Sequence, residues 1–153
     1  KDVAPVIELV EEPERSPTAL NLHSHTSTQV GFVVQAAREQ RDEALLLGAS
    51  IHFHTQNLAA CDAALMQILD TSSIFPQAQA LAARMQLQRL PLPQPGKKLS
   101  ASEAQPINEL VAALQPFSER KGLEPGVAAQ LTLLLAECHE RLNQPREAAA
   151  LYA

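Results

Sequence analysis

Residues 134–152 read LLAECHERLNQPREAAALY, and this stretch is best satisfied by two helices joined by a tight turn. Leu135 is followed by the small Ala136, then by His139 one turn later, Asn143 in the turn, and Ala148 and Tyr152 in a second helix that Gln144 and Pro145 open. Proline is tolerated in a first turn, because the N–H it lacks would have had no partner there. Small residues at a crossing let two antiparallel helices approach, and large residues fill the holes on either side. Ala136 and Ala148 are therefore the expected points of contact.

Upstream, GVAAQLTLLLAECHERL continues the same helix, and SERKGLEPG turns the chain before it. PINELVAALQPF is a further helix, for which either Ser100 with Glu103 or Ser102 with Gln105 offers a capping box. LPLPQPGKKLSAS, with Pro91, Pro93 and Pro95, is poor in backbone donors and reads as an exposed linker. Before it, Pro76 opens PQAQALAARMQLQRL, the DTSS cluster at 70–73 breaks the periodicity, and NLAACDAALMQIL sets Leu58, Cys61, Leu65, Ile68 and Leu69 on one stripe. From Gln29, Val30, Val33, Val34 and Ala37 recur at helical spacing, and Leu45, Leu46, Ala49 and Phe53 follow, as two helices or one bent near Arg41. The expected organisation is an extended acidic, Pro-containing arm over 1–28, a helical block over 29–89, the linker over 90–102 and a second helical block over 103–153. About seven helices in antiparallel order make the fold all-α.

Composition agrees. The 153 residues suit one domain, 46% are apolar, and aromatics are only 3%, so a core of Leu, Ala, Val and Ile is implied. Five glycines are too few for the turns of an all-β fold. A net charge of −5 argues against a nucleic-acid surface, and Lys97 and Lys98 are too few to make a local one. Cys61 and Cys138 lie in helical stretches without metal-ligand spacing and read as small core residues. No apolar run is long enough for a membrane span, so no membrane insertion is expected. Beginning at Lys1 and ending inside a helical pattern, the chain reads as a piece of a longer protein, with its localisation unmarked.

A second stretch repeats the order of the first. In ALLLGASIHFHTQNLAACDAALMQIL, Leu45, Ala49 and His52 precede a turn at Gln56 and Asn57, and Cys61, Leu65 and Ile68 follow it. Large, small, large, turn residue and small again is the order seen in both stretches, and it resembles the tetratricopeptide repeat, a TPR-like helix pair. The resemblance covers about 60 residues and implies stacking of antiparallel helix pairs into a right-handed array. It further implies that first helices line a concave groove holding a peptide or helix of another protein. Carried onto this sequence, the groove positions are Glu43, Leu46, Ser50, Phe53 and His54 in the first unit and Gln130, Leu133, Glu137, Glu140 and Arg141 in the last. Family members that clamp a C-terminal carboxylate use Lys and Asn at such places, and neither residue occurs at these ten. Apolar anchors beside Glu43, Glu137 and Glu140 fit a partner segment with spaced apolar residues flanked by Lys or Arg. The expected function is a non-catalytic interaction or assembly scaffold, without cofactor or metal.

Two other readings compete. LHSHT and IHFHT each hold a His-x-His pair, His23 with His25 and His52 with His54. On a strand such a pair shares a face and can grip a metal; on a helix the two side chains diverge by about 200°. LHSHT is similar to the opening motif of metal-dependent phosphoesterases of the polymerase-and-histidinol-phosphatase type, implying a divergent metal-dependent hydrolase. That family has an acidic residue where this chain has Asn21. The third reading is a purely structural helical subdomain.

Overall fold

The structure, a computed structural model, describes residues 18–92 and 99–153, with the side chains of 18–28 excepted. Six α-helices make up the described residues: α1 (Thr18–His54), α2 (Leu58–Leu65), α3 (Phe75–Arg89), α4 (Ala101–Ser118), α5 (Pro125–Arg141) and α6 (Pro145–Tyr152). No strand occurs among them, so the all-α expectation holds. The count is six rather than seven because α1 runs through Arg41 unbroken. REQRDEALL consists of good helix formers with no glycine or proline to stop it.

Helix α1 also begins earlier than expected. Residues 18–28, read as part of the arm, are helical, since TALNLHSHTST contains no helix breaker after Pro17. The remainder of the arm, 1–17, and residues 93–98 of the linker lie outside the described residues. At α4 the alternative caps resolve in favour of Ser100. Its hydroxyl accepts from the Glu103 N–H at 3.3 Å while the Glu103 carboxylate accepts from the Ser100 N–H at 2.8 Å, a reciprocal capping box.

The chain divides into two compact units, Lys1–Ala37 and Arg38–Ala153. In the first, the described side chains stand in solvent: Val30, Phe32, Val33 and Val34 are exposed, not core as their spacing suggests. The second unit holds two buried clusters. One joins Ala49 and Phe53 of α1 to Cys61 and Leu65 of α2, to Ile68, and to Ala78 and Met85 of α3. The other joins Ala80, Ala83 and Leu87 of α3 to Ile107, Leu110 and Leu114 of α4 and to Val127, Leu131, Leu134, Leu135 and Cys138 of α5. Helix α3 is thus shared, giving one edge to each cluster, and α5 packs against α3, α4 and α6.

The two turns anticipated in the sequence have one geometry. The Asn57 N–H donates to the His52 carbonyl at 2.8 Å, and the Gln144 N–H donates to the His139 carbonyl at 2.8 Å. Inside these loops Gln56 takes φ 61° and Asn143 φ 57°. The six-to-one bond around a left-handed residue ends a helix by satisfying its last carbonyls. A constant offset in numbering carries His52, Gln56 and Asn57 onto His139, Asn143 and Gln144, and it also carries Ala49 onto Ala136 and Cys61 onto Ala148. All four of these small residues are buried, between 0% and 3% exposed.

Candidate functional site

Three helices present one face each to a common cavity of about 420 Å³ in the second unit. From α1 come Leu46, Ser50, Phe53 and His54; from α3 come Gln77, Ala80, Leu81 and Arg84. Gly126, Val127, Gln130, Leu133, Leu134 and Glu137 come from α5, with Glu124 at its N-cap. Spacings of three and four residues put each set on one side of its helix, so the cavity follows directly from helical periodicity. Its volume lies within the usual range for ligand sites.

The floor is apolar and the rim polar. Phe53, Ala80, Val127 and Leu134 are buried, whereas Leu133 is 55% exposed and stands on the edge. Around them the polar groups are largely committed to the protein. The Ser50 hydroxyl donates to the Leu46 carbonyl at 2.9 Å, and the Gln77 amide donates to the Glu124 carboxylate at 3.3 Å. Glu137 accepts from the Arg141 guanidinium at 2.7 Å. The His54 ring stands edge-on to that of Phe53, centroids 5.7 Å apart. Arg84 is exposed.

Of the ten positions carried over from the sequence, Leu46, Ser50, Phe53, His54, Gln130, Leu133 and Glu137 line this cavity together. Glu43, Glu140 and Arg141 do not. Glu43 is exposed on α1. Glu140 accepts from the Tyr152 hydroxyl at 3.2 Å. Arg141 is 8% exposed and donates to the main-chain carbonyl of Leu87, which turns it inward to hold α3. Phe53 is as much core as wall, at 6% exposed.

Sequence reasoning missed the whole contribution of α3. The signal was present: Gln77, Leu81 and Arg84 recur at the spacing of Leu46, Ser50 and Phe53. It was obscured because α3 is buried on two edges and carries alanines there, leaving no apolar stripe to contrast with a polar one.

Neither thiol reaches the cavity. Burial, with Asp62 beside it, pushes the Cys61 thiol up, and burial followed by the neighbouring Glu137 pushes Cys138 up to about 11. Among the described residues no group of three His, Cys, Asp or Glu converges where a metal ion could sit. His52 and His54 lie on helix α1, which points them apart, and the side chains of His23 and His25 are outside the described set. Also among the described residues, no helix is long and apolar enough to cross a membrane. Asp42 and Ser72 are buried with an oxygen lacking a hydrogen-bond partner, but neither lines the cavity. No family model, curated protein or solved structure matches this chain.

Proposed function

We propose that residues 38–153 work as a non-catalytic protein-interaction module. In this reading α1–α2, α3–α4 and α5–α6 are three antiparallel pairs stacked in tetratricopeptide fashion. Their first helices line the groove, which holds a helix or extended segment of another protein. The observation that carries the proposal is the meeting of α1, α3 and α5, the first helix of each pair, on one cavity with an apolar floor. The matched turns at Gln56 and Asn143 support the pairing.

The expected ligand follows from the wall. Leu46, Leu81 and Leu133 offer apolar contacts, and Glu124, which accepts from the neutral Gln77 amide, offers a carboxylate, while Glu137 is paired with Arg141. A segment with spaced apolar side chains and adjacent Lys or Arg matches both features.

Selection of a displayed random-peptide library on the full chain tests this. Enriched peptides should carry that pattern and lose binding to a Leu133→Asp variant. Failure to enrich any peptide, or binding indifferent to Leu133→Asp, would overturn the reading.

A further inference from the structure

Helix α3, shared by both buried clusters, presents Gln77, Leu81 and Arg84 to the groove on one face. The Gln77 amide donates to the Glu124 carboxylate at 3.3 Å, which seats that negative charge beside the first turn of α3. Arg84 is exposed and follows Gln77 by two helical turns, about 10.5 Å along the axis. Neither Arg84 nor Glu124 is ion-paired to another described residue, whereas Glu137 is held by Arg141 at 2.7 Å. The groove therefore offers a ligand a carboxylate and a guanidinium set apart by two turns of α3, with Leu81 between them.

A complementary ligand face carries a base, an apolar residue and an acid in that order along α3, with base and acid about 10 Å apart. A helix supplies this directly. Its residues seven apart share a face at about 10.5 Å, and the residue three or four along lies between them, where it meets Leu81. An extended strand does not, because its same-face residues are about 6.7 or 13.4 Å apart. Granted that the groove holds a segment of another protein, we propose that this segment is an amphipathic helix with Lys or Arg seven residues from Asp or Glu and an apolar residue between them. Glu124 receives the base, and Arg84 is the specificity-determining residue for the acid. The planar fork of a guanidinium matches the two oxygens of a carboxylate, so Arg84 suits that role.

A displayed random-peptide library, selected in parallel on the full chain as wild type and as Arg84→Glu, tests this register. Because Arg84 is exposed, the variant should keep the wild-type helical spectrum. Peptides enriched on the wild type should carry the seven-residue spacing of base and acid, and those enriched on Arg84→Glu should have Lys or Arg in place of the acid. A synthetic copy of a wild-type-selected peptide should lose about tenfold in affinity for Arg84→Glu, where like charges meet, and recover it when its acid is replaced by Lys. Arg146→Glu makes the same change of charge on exposed α6 outside the cavity and should bind that peptide like the wild type. Peptides that are sensitive to Leu133→Asp but indifferent to Arg84→Glu, or that lack the seven-residue spacing, would overturn the charge register while the groove reading stands. A library that enriches nothing would overturn both.

Discussion

The guanidinium of Arg141, near the end of α5, donates to the main-chain carbonyl of Leu87, near the end of α3, at 2.8 Å while also holding Glu137 of its own helix at 2.7 Å. The bond ties together the ends of two helices that both border the cavity. An exposed ion pair contributes little, but a charged donor to a buried carbonyl contributes more because its loss leaves the acceptor desolvated. Arg141→Met, which keeps most of the stem and removes the charge, should lower stability by about 1.5 to 3 kcal/mol in urea unfolding. Arg146→Met on exposed α6 is the control and should shift it by less than about 0.5 kcal/mol.

Ala148 is 3% exposed on α6, which packs on α5, where Ala136 is 0% exposed. Added methylenes in a closed crossing force neighbouring side chains off their rotamers, so Ala148→Leu should cost about 1 to 3 kcal/mol. Ala49→Leu in the matching place of α1 should behave the same way. Glu147→Gln, exposed beside Ala148, should change thermal stability by less than about 0.5 kcal/mol. Equal melting of Ala148→Leu and Glu147→Gln would mean that the small positions are not packing points.

Gln56 takes the left-handed conformation at φ 61°, which Asn143 takes at φ 57° in the other turn. Asparagine tolerates that region better than glutamine does, and glycine better than either. Gln56→Gly should therefore raise stability by up to about 1 kcal/mol, and Asn143→Val should lower it by at least as much. Calorimetric melting of the two variants reads both signs.

The periodic stretches were legible where one face is apolar and the other polar. NLAACDAALMQIL announced α2, although the helix stops at Leu65 and leaves Leu69 of the expected stripe exposed, and the capping residues around Ser100 announced the start of α4. Leu45, Leu46, Ala49 and Phe53 gave the inner face of α1, but Val30 and Val33 have the same spacing and stand exposed. Spacing places residues on a face without saying what covers that face. Half of the wall was legible because Leu46, Ser50, Gln130 and Leu133 lie on helices, α1 and α5, that end in turns marking their register. The other half was not: α3 has no such turn after it, since Leu90 is extended at ψ 142° and leads into the proline segment. Arg141 was misplaced for a different reason. One turn of helix separates a rim position from a buried one, and only the position of Leu87 decides which it is.

Cys138 has its thiol pushed up to about 11 from an ordinary 9.0, first by burial and then by Glu137. Unfolded chain releases this proton near pH 9 and folded chain only near pH 11, so the unfolded state gains from deprotonation first. The contribution is intact below pH 9 and is lost as pH rises from 9 toward 11. Urea midpoints measured across that window should fall more steeply for the wild type than for Cys138→Ala. A thiol-specific reagent should label neither Cys61 nor Cys138 at neutral pH until the chain unfolds.

The groove makes the last prediction, because its residues separate into those that hold the fold and those free to hold a ligand. Phe53 is 6% exposed and sits in a core cluster, so Phe53→Ala should lose about 3 to 5 kcal/mol of stability whatever it does to binding. Leu133 is 55% exposed on the same cavity, so Leu133→Ala should leave unfolding almost unchanged. With a groove-selected peptide, that truncation should mainly speed dissociation, since apolar anchors act on the complex once formed. Glu124→Gln should instead slow association with a basic peptide and flatten its dependence on salt, because rim charges act during approach. Stopped-flow binding at two ionic strengths separates the two effects: unchanged rates in both Leu133→Ala and Glu124→Gln would place the ligand outside this cavity.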